Sequence, residues 1–423
     1  MAGLVLLGAC GGGGGGGDLP DSMPFAPALE ARLHEIRDKV SEVRGLPPFA
    51  KVKEGTITQD ALLQYSRDQT KDMTEDEKRE LASYEAALRL LRLIGPDDDL
   101  LKIATEDYVT GILGLYIPTA RRLVMIGEGQ EIGMNDELTL AHEYTHSLQD
   151  GAFDIRDFGE RWQKSRTERS GHTQYGETID CLIEGDAELT QRVYAERVFG
   201  SDWEQKLQAE ADQEPGNGPT PLPPFLVRAA LFNYQECRYF VEGLYRDGGW
   251  AAVNAAYDDP PATTEQVMHL DAYRDHELAN GQQPDDLSGA LGEDWELLDV
   301  SQFGEFDVYN YFVTMTGDDI NSRIAAAGWG GGWLSVYRDK KQSDQVLADL
   351  SLSWDSNDDF DEFLLSYWAV LSARGLQMKA EKDQPEVSWT GDGEYGLMRY
   401  NPNTARADIL IATDQATLNR VNP

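Results

Sequence analysis

Between Leu138 and Asp150 the apolar residues recur at helical spacing, and His142-Glu143-Tyr144-Thr145-His146 stands inside that run. A helix here would carry two imidazoles on one face, because residues four apart lie about 40° apart around the axis and about 6 Å along it. Two such rings can aim one nitrogen each at a single ion, and zinc suits imidazole ligands of this spacing. Glu143 is rotated about 100° from His142, which takes it off the ligand face and toward the position that a water would occupy. Its expected role is general base.

A catalytic zinc needs a third protein ligand and one open position. The next strong helical pattern, Thr178 to Gln191, supplies Glu184, followed by Gly185, Asp186, Ala187 and Glu188. Small residues at 185 and 187 are expected to let this second helix approach the first closely enough for the Glu184 carboxylate to reach the ion. Glu188, one turn on, and Asp150, at the end of the first run, are candidates to accept the remaining imidazole N–H groups and so fix ring orientation. Both could equally be solvated acids.

The combination of Ala141-His142-Glu143-x-Thr145-His146-x-Leu148-Gln149-Asp150 with a later Glu184-Gly185-Asp186-Ala187 resembles the gluzincin branch of zinc metallopeptidases, and more narrowly a set of prokaryotic lipoproteins. Similarity continues through Asn233-Tyr234, Phe240-Val241, Gly248-Gly249-Trp250, Pro260-Pro261, the stretch Thr263 to His269, and Tyr273. It extends more faintly to Gly328-Trp329-Gly330-Gly331 and Trp354-Asp355. The chain departs from that pattern at Cys237, Leu270 and Gly332, where glycine, proline and aspartate are usual. None of these is a ligand. The resemblance implies zinc-dependent hydrolysis of peptide bonds, with a scissile segment held by main-chain hydrogen bonds along a sheet edge.

Charge narrows the partners. The 423 residues carry 75 acidic against 37 basic side chains, a formal net charge of −38 spread over the whole length. Such a surface repels nucleic acid and anionic lipid, and is read as solvation of a halophile-like protein. At the start, Leu4 to Ala9 followed by Cys10 resembles a lipoprotein processing site. Lipid attachment at Cys10 would place the chain outside the cytoplasm at the cell surface, with Gly11–Gly17 as a flexible tether. Cys181 and Cys237 remain, either as one disulfide or as two buried thiols. Metal ligation by Cys181 is the weaker reading.

The expected fold is α+β, divided into a signal and tether over 1–17, a zincin-like catalytic region over 18–285, and a C-terminal α+β region over 286–423 packed on it. The catalytic region should be mainly helical, with a small sheet whose edge strand precedes the metal helix. Leu29 to Val43 and Thr74 to about Ile94 read as scaffold helices, the second opened by a capping box at Thr74 and Glu77. Gly111–Ile117 and Leu123–Ile126 read as a hairpin turned at Pro118–Arg121. Glu214 to Pro224 is a loop by composition, and a helix follows from Phe225 to about Asp247. Farther on, Phe306–Val313, Val346–Trp354 and Ile409–Ile411 read as strands, with a helix from Asp358 to Ala373 between the last two. The acidic stretch Asp355 to Glu362 reads as the capped start of that helix and not as a calcium loop.

For the charge that grows on a carbonyl oxygen during hydrolysis, His269 is the first candidate, with Tyr273 and Tyr234 as alternatives. His34, His172 and His276 read as ordinary polar positions. A metal-containing surface protein that binds peptide or wall material without turnover is the alternative to an enzyme. Substrate preference and oligomeric state are not written in the sequence.

Overall fold

The structure is a computed structural model that describes residues 20–422 apart from 50, 72, 128, 130, 159–173, 213–221 and 381–384. Cys10 and its tether, His172 and nearly all of the expected loop at Glu214–Pro224 lie outside the described residues. The N-terminal half is helical around a three-stranded sheet. Helix α1 (Glu30–Arg44) leads to β1 (Lys53–Ile57), α2 (Gln59–Gln69) and α3 (Glu75–Leu90). The capping box of α3 forms as expected: Glu77 N donates to Thr74 Oγ1 at 3.2 Å and Thr74 N to Glu77 Oε2 at 2.6 Å.

The hairpin forms from β2 (Gly114–Ile117) and β3 (Arg122–Ile126), with Arg121 N donating to Pro118 O at 3.2 Å. Sheet order is β1-β3-β2, with β1 parallel and β2 antiparallel to β3. The strand immediately before the helix that carries His142 and His146 is therefore the central one, against expectation, because β1, which the sequence did not announce, pairs with its outer side. The edge that runs beside the helix is β2, one strand earlier.

Helix α4 (Met134–Phe153) carries the two histidines and α5 (Tyr175–Phe199) the later glutamate. Then come α6 (Trp203–Ala211), α7 (Pro224–Gly248), α8 (Trp250–Ala256) and the short α9 (Thr264–Met268). The amino end of α4 is tied down from outside: Met134 N donates to Glu210 Oε1 of α6 at 3.0 Å, placing an anion at a helix start.

The C-terminal region is a seven-stranded sheet, ordered β4 (Trp295–Gln302), β5 (Trp329–Asp339), β6 (Val346–Trp354), β10 (Arg406–Ala412), β9 (Glu394–Asn401), β8 (Glu386–Gly391), β7 (Gln377–Ala380). Helices α10 (Glu305–Thr316) and α11 (Asn357–Ala373) pack on it, and α12 (Gln415–Val421) ends the described chain. The strands at 346–354 and 409–411 and the helix near 358–373 are where the sequence put them. Phe306–Val313 is not a strand but the middle of α10. Every residue from Glu305 to Val313 is buried, so no exposed side exists to give the alternation meaning. Asp307 Oδ2 accepts from Gly304 N at 2.8 Å and starts the helix.

One hydrophobic core crosses both halves, running from Leu88 and Ile94 through Cys181, Phe240 and Phe312 to Ile409 and Ile411. The α+β class is thus met, with α3 from the first half lying against the C-terminal sheet. Among the described residues no helix is long and apolar enough to cross a membrane.

Candidate metal centre

The motif run of α4 is buried along nearly its whole length, from Leu138 through Asp150. His142 and His146 sit one turn apart with ring centroids 4.7 Å apart and planes at 78°. Glu184 of α5 reaches them: its Oε2 lies 3.1 Å from His142 Nε2 and 3.6 Å from His146 Nε2. One ligand atom from each of the three residues lies within 4.8 Å of the others, and all three residues are buried.

Charge and burial act together on these groups. Burial alone would raise the Glu184 carboxyl, but the adjacent His146 and His142 rings hold it well below the usual carboxylate range. Burial alone would lower His142, yet hydrogen bonds to Glu184 and Glu188 carry it well above an ordinary histidine. Two imidazoles and a carboxylate at this separation would suit a divalent cation in place of the protons they share.

The approach that brings Glu184 into range differs from the expected one. A Cβ on Gly185 would meet Cys237 O at 2.3 Å, so the small residue serves close packing of α5 on α7 and not on α4. Cys181 and Cys237 are joined by a disulfide with Cα atoms 5.0 Å apart, which pins the same two helices one turn before Glu184. Cys181 is thereby removed from the metal-ligand candidates.

Glu143 is 6% exposed, and its Oε2 has no hydrogen-bond partner among the described residues. Burial pushes its carboxyl up, offset in part by the two histidines and by the backbone N–H of Tyr116 on β2. The strand comes this close because of Gly114, where a Cβ would stand 2.7 Å from Thr139 Cγ2 and 3.1 Å from Glu143 Cγ. A buried carboxylate oxygen without a donor is costly unless something occupies its face, and water beside a metal would do so.

Around the ligands, Glu188 stands where expected, its Oε1 3.3 Å from His142 Nδ1. Asp150 does not reach a ring; its Oδ2 accepts from Tyr116 OH at 2.8 Å. Two glutamines do what the sequence assigned to acids. Gln191 Oε1 lies 3.2 Å from His142 Nδ1 and Gln149 Oε1 lies 2.9 Å from His146 Nδ1. The spacing of Gln149, three after His146, was the available signal.

The three candidates for the carbonyl oxygen are separated. Tyr234 comes to the site, its ring centroid 6.3 Å from His142, with 39% of the residue exposed and the hydroxyl end enclosed. That enclosure, with Glu184 beside it, keeps the hydroxyl protonated far above the usual tyrosine range. Tyr108, which the sequence reading passed over, lies beside Tyr234 and Glu184. His269 pairs instead with Glu305, its Nε2 2.7 Å from Oε1, and Tyr273 OH donates to Asp259 O at 2.8 Å. His34 is exposed, and His276 is largely so beside Asp259.

Residues 296–422 match the family model of a domain of unknown function, DUF8575. The matched stretch covers the C-terminal sheet and its helices and lies past every residue of the cluster. No curated protein and no solved structure matches the chain.

Proposed function

We propose that the chain is a zinc-dependent peptide hydrolase of gluzincin type with a zincin-like catalytic region. The observation that carries this reading is the convergence of His142, His146 and Glu184 beside a buried Glu143 whose second oxygen lacks a donor. A zinc ion held by these three residues would supply a Lewis acid able to polarise a peptide carbonyl and acidify a water.

The chain's own groups provide the rest. Glu143 takes the proton of the attacking water and returns it to the departing amine, a transfer favoured by a carboxyl whose affinity for protons burial has raised. The Tyr234 hydroxyl, held protonated, donates to the carbonyl oxygen as it gains charge, with Tyr108 beside it. Edge strand β2 runs past Glu143, so an extended substrate segment laid along its outer side would be held by main-chain hydrogen bonds. Surface attachment through lipid at Cys10 belongs to the same proposal and rests on the run Leu4–Cys10.

The test is cleavage of an unfolded protein substrate in high salt by the full chain and by Glu143→Gln. Cleavage by the parent and its loss in the variant, with metal content equal, supports the reading; equal cleavage by both removes Glu143 from the mechanism.

A further inference from the structure

His146 is held on its far side by a chain of buried polar groups that reaches back to Arg44, 142 positions before the Asp186 it binds. Gln149 Oε1 lies 2.9 Å from His146 Nδ1, and Gln149 Nε2 donates to Ile183 O at 2.9 Å and to Asp186 Oδ2 at 3.0 Å. Asp186 in turn accepts from Arg44 Nε at 2.6 Å and Nη2 at 2.9 Å, and from Tyr257 OH at 2.9 Å. Arg44, Gln149 and Asp186 are all fully buried. Arg44 also donates to Asn254 Oδ1 at 2.7 Å and lies 4.6 Å above the Trp250 ring.

The direction of this chain follows from what each group can do. A guanidinium only donates and an ionised carboxylate only accepts, so Asp186 must receive from both Arg44 and Gln149. The two hydrogens of the Gln149 amide then meet two acceptors, Ile183 O and Asp186 Oδ2. Turning the amide over would set its oxygen against both of them and leave buried acceptors facing one another. The oxygen is therefore locked toward the ring, and a ring nitrogen facing an acceptor must carry the proton.

We propose that Arg44, Asp186 and Gln149 are positioning residues that hold His146 as the Nδ1–H tautomer, leaving the Nε2 lone pair directed to the Glu184 side, where a cation would bind. None of the three touches that position. His142 is held differently: its Nδ1 meets Glu188 and Gln191, and among the described residues the Gln191 amide has no pair of acceptors to lock it. The Asp186 that sets the tautomer sits two residues after Glu184 on α5, so one helix supplies a ligand directly and orients another through Gln149. This inference rests on the metal-site reading above for its purpose, but the tautomer stands on hydrogen bonding alone.

The experiment uses the full chain labelled with nitrogen-15 at histidine and free of metal, followed by Zn2+ titration against a competing chelator. Long-range nitrogen–proton spectra of the parent protein, recorded at a pH high enough for the ring to be neutral, should show His146 as Nδ1–H; the Nε2–H form would overturn the proposal. Gln149→Leu should weaken Zn2+ binding roughly 10- to 100-fold and let His146 populate both tautomers. Tyr257→Phe, which removes a brace on the same Asp186 oxygen while Arg44 still binds that group, should lower the unfolding midpoint and leave Zn2+ affinity unchanged. Unchanged affinity and tautomer in Gln149→Leu, or an equal loss of affinity in Tyr257→Phe, would overturn it. Should Gln149→Leu fail to fold, the parent spectrum decides. Failure of the parent to bind Zn2+ would contradict the hydrolase reading, while the spectrum would still settle the tautomer.

Discussion

Glu184 Oε2 lies 3.1 Å from His142 Nε2 although the two residues are 42 positions apart and on different helices. A carboxylate against two imidazoles is stable here only because protons or a cation lie among them, and the downward shift of the Glu184 carboxyl expresses the same attraction.

Replacing Glu184 by Ala should therefore lower zinc affinity by about 100-fold or more, since two imidazoles alone make an incomplete set for this ion. Competition with a chromogenic chelator reads this directly. Full retention of zinc would remove Glu184 from the ligands.

Glu143→Gln should keep the metal and lose turnover by about 10²- to 10⁴-fold, the usual weight of a positioned general base. Metal content and peptide cleavage measured on the same preparation separate this from damage to the ligands. Tyr234→Phe should reduce kcat with little change in KM, because a donor to the carbonyl oxygen acts mainly as charge develops.

The disulfide between Cys181 and Cys237 closes a separation of 56 residues around the helix that carries Glu184. Loop-closure entropy alone puts its loss at about 4 kcal/mol of stability. The double replacement Cys181→Ala with Cys237→Ala should lower the denaturation midpoint accordingly and weaken zinc binding, as α5 is released from α7. Unchanged stability would mean that Gly185 packing against Cys237 suffices to hold the two helices.

A second group of buried acids lies away from the metal cluster. Burial, then Glu305, Asp355 and Glu277, push the Glu265 carboxyl up to about 9; burial pushes Glu305 up to about 7 against the pull of His269. Burial and nearby acids also raise Asp355 to about 6. These groups bind protons more tightly folded than unfolded. Their stabilising contribution is complete below the unfolded carboxylate range and is lost as pH rises through about 6 to 9. His269, raised by its hydrogen bond to Glu305, works in the same direction. Urea midpoints should fall from pH ~4 to pH ~9, by up to about 1.4 kcal/mol per pH unit for each group still protonated only in the folded chain; Asp355 stops contributing near 6, Glu305 near 7 and Glu265 near 9. In Glu265→Gln the slope should be shallower; an unchanged slope would clear Glu265 of the effect.

The cluster of His142, His146 and Glu184 was legible because each part is local: two histidines at i and i+4, and one glutamate in a compact later motif. What holds those parts was not. Arg44 meets Asp186 across 142 positions, and no pattern within α1 marks it as anything other than a helix-terminal cation. Glu188 could be read from its turn-spacing to Glu184, whereas Asp150 was drawn away by Tyr116 on a strand whose packing the sequence does not state. The α+β class and most element positions followed from periodicity. Phe306–Val313 misled because a helix buried on all sides offers no polar face. The central place of β3 was hidden because β1, only five residues long, comes from before α2 and α3.

The most direct test of the central claim is elemental analysis of the full chain purified without chelators, with protein concentration determined on the same sample. One zinc per chain, lost when His142, His146 or Glu184 is replaced by Ala, is the expected result. A chain without bound divalent metal, and unable to take up Zn2+ when it is supplied, would contradict the account.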